Sequence, residues 1–465
     1  MIRRILLTAA LAAAPLAARA QSAGTAAAPP APAAGLWQRD TLSGDWGGLR
    51  TRLAAQGVTV ALIDSADLLA NLAGGIKTGT GLENQALGQV DVDLDRLAGW
   101  TGGHLRVTGY AYDGHGLSES NVGTLLGVSD IEAPAPTLRI WELWLEQSAA
   151  GGAVALRAGL LALDSAGFAA TVPGGLFIGS SIGFPAGLSG DLPGDGPAYP
   201  LSAPGVLLTL RPAARLRLMA AVLSGDASGG PGATFPLEAY PTGTVFSTSG
   251  GVLAITQAAL TLGHAAAGDD VPATVKLGAW YDSSRHFTDL STTDLSTTGL
   301  ATTGLATTGA APPRRYRGDW GVFGTIEGTL WRGAGAPDGG LSGFLRVTLS
   351  PPPSSLFDRY VDGGFVWKGL VPGRADDLAG LAVAYAHISD AARAADRAMQ
   401  ATDPAYPVRD EEMVLELTYQ AAVAPWWVLQ PVGQYWFHPG GGVPNPGGRL
   451  RRQAVVAGLR TDVTF

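Results

Sequence analysis

The chain has no cysteine. That rules out disulfides, thiolate metal sites and a lipid-modified cysteine anchor. A large exported protein without disulfides needs another source of stability, and a closed hydrogen-bonded barrel in lipid would supply it. Charge is scarce too: Asp, Glu, Lys and Arg make up 15% of the 465 residues, against 46% hydrophobic. Soluble domains carry about 25% charged residues. Yet beyond the first twenty residues no apolar run reaches eighteen, so helical membrane spans are excluded. A transmembrane β-barrel reconciles the two, because its lipid-facing residues alternate with polar ones. Metal-ligand spacing is missing as well. His104, His115, His264, His286, His387 and His438 are scattered, and no metal or cofactor is expected. The net charge of −8 makes nucleic acid a poor partner.

What is present begins with an export signal. Arg3 and Arg4 precede an apolar stretch, Ile5 to Ala14, and Ala18-Arg19-Ala20 is a small-x-small cleavage sequence. Residues 1–20 read as a signal peptide and 21–35 as an Ala/Pro-rich linker. Cleavage would leave 28 basic against 39 acidic residues, a net charge of −11. Residues 36–57 contain a short helix at the periplasmic end. Ser43 or Asp45 can cap it, Leu49 and Leu53 share a face, and Gly57 is placed to end it.

From Val58 onward the period is two. Gln89 to Leu97 puts Val90, Val92 and Leu94 on one face and Asp91, Asp93 and Asp95 on the other. Three carboxylates on one face suit a wet lumen and not a dry core. In His104 to Tyr112, Leu105 and Val107 oppose Arg106 and Thr108. Tyr110 and Tyr112 fall at the strand end, where an aromatic girdle is expected. Leu138–Gln147 and Ala153–Ala162 form a hairpin that, folded about Ala150 and Gly151, sets Arg157 across from Trp144, between Glu142 and Glu146. A second hairpin aims Arg211, Arg215 and Arg217 inward. The last segment, Gln453 to Phe465, alternates Val455, Ala457, Leu459 and Thr461 against Arg460, Asp462 and Thr464, and ends on an aromatic residue. It reads as the closing strand, recognised by a barrel-assembly machinery.

About sixteen strands are expected over residues 58–465, with short turns at one end and long Gly/Pro-rich loops at the other. The fold class is all-β, a transmembrane antiparallel barrel with a short N-terminal periplasmic helix. Among the loops, 288–313 carries a Thr/Leu/Gly repeat without a packing pattern.

The segment GDWGGLRTRLAAQGV at Gly44 to Val58 resembles the amino-terminal signature of OprB-type carbohydrate-selective porins. Similar stretches are Asn71 to Gly75, LRIWELWLEQ, LRAGLLALDSAGF, GFLRVTLSP, DGGFVWKGLVPGRADDLAG and the tail from PWWVLQPVGQYWF onward. The resemblance runs from about Trp37 to the end. It implies a sixteen-stranded outer-membrane barrel and passive uptake of sugars such as glucose, through a lumen narrowed by infolded loops.

A sugar channel needs donors and acceptors that replace the hydration shell, plus aromatic faces for the C–H side of the ring. Glu142, Trp144, Glu146 and Arg157 offer that mixture on one hairpin, and Arg106, Asp91, Asp93, Arg211 and Arg217 extend a polar track. Three other readings stay open at this point. A non-selective diffusion channel has the same pattern. A barrel enzyme would need a His–Ser pair on neighbouring strands, and none stands out. A secreted β-rich binding protein would be soluble without detergent. Expected partners are small sugars and outer-membrane lipid, and the barrel could be a monomer or a homo-oligomer.

Overall fold

Alternating side chains let every strand satisfy its backbone through its neighbours while presenting one face outward and one inward. In the computed structural model sixteen strands do this and close on themselves. In chain order they are β1 (Val58–Gly74), β2 (Gly79–Asp93), β3 (Gly103–His115), β4 (Thr137–Ala149), β5 (Val154–Leu161), β6 (Ala203–Ala213), β7 (Leu216–Ser224) and β8 (Val252–Leu262). The second half is β9 (Ala273–Asp282), β10 (Asp319–Arg332), β11 (Gly340–Leu349), β12 (Phe357–Lys368), β13 (Leu378–Ile388), β14 (Glu411–Ala424), β15 (Trp427–Phe437) and β16 (Gln453–Thr464). Each pairs antiparallel with its neighbours in sequence, and β16 closes the ring on β1, with Leu68 opposite Leu459. The structure describes residues 35–465 except 133–135, 228–241, 247, 249, 264–271, 285–286, 293–313, 334–338 and 445–450. The signal and linker expectations, the repeat beyond residue 292, His264 and His286 lie outside the described residues.

The burial pattern is inverted relative to a soluble protein. Outward Leu68 and Leu417 are 57% and 62% exposed, while inward Asp67 and Glu416 are both at 0%. No helix among the described residues is long and apolar enough to cross a membrane. Exposed aromatics stand near the strand ends, Tyr281 and Trp320 on the long-loop side and Trp331 on the other.

Three local expectations change. Tyr110 and Tyr112 belong to no girdle: both point inward and pack with Tyr199, with the Tyr110 hydroxyl donating to the Pro200 carbonyl at 2.5 Å. The strand read from Gln89 to Leu97 starts earlier, at Gly79, and stops at Asp93. There a helix, α2 (Leu94–Ala98), takes over and carries Asp95 out of the ladder. The hairpin between β4 and β5 closes at Ala149 and Val154, so Arg157 sits opposite Glu146 and Trp144 opposite Gly159. The shift arises because the turn is built from residues 150–153, with Ala150, Gly151 and Gly152 all at positive φ.

At the short-turn end lies α1 (Leu49–Ala55). Its N-cap is Gly48 and not the expected Ser43 or Asp45; the left-handed backbone at Gly48 carries no side-chain cap, and Asp45 accepts from the Thr51 backbone N–H at 2.8 Å from upstream. Arg50 ties the helix to the chain end by donating to the Phe465 carbonyl at 2.5 Å. Trp37 stacks on Trp426 at 5.9 Å.

The apolar core lies inside the barrel. Loop 116–136 contributes Leu117, Val122, Leu126 and Val128, and loop 162–202 contributes Phe177, Ile178 and Ile182. They pack on inward Phe344, Tyr360, Val414 and Trp436 of the wall. Both long loops therefore fold into the lumen.

Candidate permeation pathway

Wall side chains hold the infolded loops by their backbones. The Glu416 carboxylate accepts from the N–H groups of Ile178 at 2.8 Å and Gly179 at 2.9 Å. Gln430 donates to the Leu176 carbonyl at 2.7 Å, and Gln434 to the Val128 carbonyl at 2.8 Å. Arg346, fully buried, pairs with Asp362 at 2.7 Å and donates to the carbonyls of Ala169 at 3.0 Å and Ile182 at 2.8 Å. Arg460 pairs with Asp67 at 2.7 Å and with Asp130 of loop 116–136 at 2.6 Å. The contacts to Ile178, Gly179, Leu176, Val128, Ala169 and Ile182 satisfy loop backbone groups that the packed interior shields from water.

The loops divide the lumen. On the long-loop side a cavity of about 480 Å³ is lined by Phe177, Phe184 and Tyr199 and by five carboxylates, Asp130, Glu132, Asp164, Asp191 and Asp195. On the short-turn side a cavity of about 630 Å³ is lined by Arg211, Arg215, Arg217, Lys276 and Glu327. Ala170, Thr171 and Val172 line both, so this stretch of loop 162–202 is the partition between them. Val172 projects into the open lumen with 62% of its surface exposed. Its backbone N–H is anchored on Glu327 at 2.6 Å, and Lys276 fixes the Ala170 carbonyl at 2.5 Å.

The residues expected from the sequence fall into two groups. Arg211 and Arg217 line the inner chamber. The others form a wall beside it. Arg106 donates to Asp91 at 2.7 Å, and Gln89 also bonds Asp91. Arg157 pairs with Glu146 at 2.9 Å and lies over the Trp144 ring at 3.8 Å, with Arg106 on the same ring at 5.2 Å. Trp144 and Glu142 are buried. Glu142 accepts from Ser165 of α3 (Leu163–Ala166), and Ser165 itself faces the inner chamber. Asp93 stands at the barrel rim as the N-cap of α2, accepting from the Asp95 and Arg96 N–H groups at 3.1 and 3.2 Å. Its carboxylate is spent there and not on the lumen, because the strand ends beneath it.

Sequence reasoning missed Lys276, Glu327, the 170–172 partition and the outer carboxylates. Lys276 had a usable signal, a lone cation at inward parity in an apolar strand.

Four of the five outer carboxyls are raised by burial, Glu132 to about 7 and Asp195 to about 6 among them. Burial pushes Asp164 up to about 7, with Glu142 adding to the rise. Backbone groups of Ser165 and Tyr199 oppose it. Burial likewise pushes Asp191 up to about 8, aided by Asp319 and opposed by the backbone of Phe357 and Leu356 and by Ser350. Both groups are neutral at pH 5 and anionic at pH 9. The channel's preference for potassium over chloride should therefore rise between those values. Reversal potentials in a KCl gradient at the two pH values measure it, and a flat profile would rule the two groups out of the ion path.

The family model described as the carbohydrate-selective porin, OprB family, matches residues 80–465. The chain belongs to that family. This porin is 26% identical to Porin B of Pseudomonas aeruginosa over 444 residues, covering 91% of this chain and 90% of the relative. A high-pH structure of Pseudomonas putida OprB superposes with a TM-score of 0.77 at 21% identity, over 92% of this chain and 99% of that one. A low-pH structure of the same protein gives 0.53 at 15% identity, with the same coverage. At these identities the two structures bear on the fold alone, and they share the barrel. Family and fold place this porin in a Gram-negative outer membrane, as a channel for carbohydrates.

Proposed function

We propose that this porin passes neutral, glucose-sized sugars from the outer cavity across Ala170–Val172 into the inner chamber. The observation that carries the reading is the shared lining: among the described residues the two cavities have Ala170–Val172 in common, a stretch that the wall fixes through Glu327 and Lys276. A fixed aperture selects by size, and hydroxyl and carbonyl groups beside it replace the water that a sugar sheds. Thr171, Thr261, Thr274 and Ser165 supply hydroxyls on the chamber side, and aromatic Phe184 and Tyr199 supply faces on the outer side. The family consists of porins, and the chemistry proposed here is passage without a covalent step. The terminal strand, ending on Phe465, is proposed as the part read by a barrel-assembly machinery.

Liposome swelling tests this. Glucose should enter protein-containing vesicles faster than empty ones, and faster than a trisaccharide. Equal rates for glucose and the trisaccharide would indicate a non-selective channel. No swelling with glucose would refute the reading outright.

The wall beside the chamber gives a second test. Glu142→Ala with Arg157→Ala removes the acceptor for Ser165 and uncovers Trp144. Loss of these supports should loosen α3, raise conductance and weaken sugar block of the ion current. If single-channel conductance and sugar block both stay as in the parent, these residues play no part in the pathway.

A further inference from the structure

The wall arginines described above are each matched by a carboxylate. Arg106 has Asp91, Arg157 has Glu146, Arg346 has Asp362 and Arg460 has Asp67. The inner chamber departs from that rule. Glu327 is the one carboxylate among its described lining residues. It is already held by Lys276 at 2.7 Å and by the Val172 N–H at 2.6 Å. Arg211 uses one N–H on the Gly152 carbonyl at 3.0 Å. Arg217, on the neighbouring strand, makes no hydrogen bond or ion pair among the described residues, and its side chain reaches toward Gly167 of the infolded loop. The two guanidiniums lie within electrostatic reach of each other, and Glu327 also acts on Arg217 from a distance while bonded to Lys276 and Val172. Arg211 is exposed and Arg217 half-buried, and their repulsion, screened in part by water, is relieved when an anion joins them.

We propose that the inner chamber is a binding site for the monoanions of polyhydroxy carboxylic acids, such as an aldonate or a uronate, which this porin passes in addition to neutral sugars. Arg211 and Arg217 receive the carboxylate, because the guanidinium fork matches two carboxylate oxygens at once. The hydroxyl tail faces Ser165, Thr171, Thr261 and Thr274 across the same chamber of about 630 Å³. The outer cavity selects for single charge. Its carboxylates repel an approaching anion in proportion to that anion's charge, so a phosphate dianion meets about twice the barrier of a carboxylate.

The test uses the purified protein in planar bilayers. Chloride current is measured while gluconate, glucose or inorganic phosphate is added at pH 9, where the outer carboxyls are anionic and phosphate is a dianion. Gluconate should block at a concentration roughly tenfold lower than glucose, the scale on which a one-signed cleft concentrates its counter-ion. In a potassium gluconate gradient the reversal potential should lie closer to zero than in an equal KCl gradient, as gluconate passage requires in a channel that otherwise favours potassium. Arg211→Gln together with Arg217→Gln should abolish the difference between gluconate and glucose. Gluconate blocking no better than glucose, or phosphate blocking as well as gluconate, would overturn the proposal. So would a double variant that keeps the heat-modifiable mobility of a folded barrel and the parental gluconate block. Should that variant not fold, the comparison of solutes on the parent protein decides alone. The outcome is separable from the sugar reading, because glucose swelling with no gluconate preference sinks only this proposal, and the reverse result sinks only the other.

Discussion

Arg346→Met should open the channel. The parent side chain is wholly enclosed, with its guanidinium shared between Asp362 and carbonyls of loop 162–202. Methionine fills similar volume and offers no donor. Asp362 is then left charged or protonated in a closed space, and the Ala169 and Ile182 carbonyls lose their partner. Breaking a buried pair by removing one member costs roughly 3–5 kcal/mol. The barrel wall has its own ladder of backbone bonds between β11 and β12, so that cost falls on the loop and not on closure. The loop should detach from the wall over residues 169–183, and those residues include the partition. Single-channel conductance is expected to rise severalfold, and a trisaccharide excluded by the parent should enter liposomes. Arg346→Met with Asp362→Leu removes both charges and should recover loop docking in part, because no lone carboxylate remains. Parental conductance in the single variant would show that the loop is held without this contact.

That side chain illustrates what the sequence carried and what it did not. Strand parity was legible. Outward Leu and Val alternate with inward Asp, Glu, Arg and Gln, and the count of sixteen follows from it, as does the sheet closing through β16 onto β1. The same parity already placed Tyr110 and Tyr112 on the face of Arg106 and Thr108. Reading them as a girdle gave position along the strand more weight than side-chain alternation, and the alternation was right. The first half of β2, Gly79 to Gly88, was hidden because its faces contrast weakly: Gly79, Gly81 and Leu87 are inward while Thr80, Asn84 and Gly88 are outward. The helix α4 (Asp390–Thr402) was passed over inside a loop, although Ser389 caps it and Asp396 within it pairs with Arg409 at 2.9 Å.

The site was less legible than the wall. Residue types aimed at the lumen could be named from parity, and Arg211 and Arg217 were. Which of them meets open space depends on how the loops fold inward, and loop 162–202 has no period to read. Its one signal is chemical: Phe168, Leu176, Phe177, Ile178 and Ile182 are too apolar for a loop in water and need a wall to pack on. Pairings such as Arg460 with Asp130 join positions 330 apart in sequence, and alternation says nothing about them.

Val172→Trp should close what Arg346→Met opens. Val172 lies in the partition, borders both cavities and exposes most of its side chain to the lumen, so an indole there has no packed neighbours to displace. Its backbone is fixed by Glu327, and the Glu327–Lys276 pair leaves the added ring little freedom to move aside with the loop. Folding should be unaffected, because the substitution touches neither the barrel ladder nor the buried core. Glucose swelling is expected to drop to near the rate of empty liposomes, and single-channel conductance to fall with it. Val172→Ala should move both quantities the other way by a smaller amount, since it removes only two methyl groups from the aperture. If the tryptophan variant folds, shown by heat-modifiable mobility, and conducts like the parent, solutes pass elsewhere in the lumen and the partition at 170–172 is not the gate. A graded response across alanine, valine and tryptophan would instead tie flux to the free cross-section at this one position, as size selection by a rigid aperture requires.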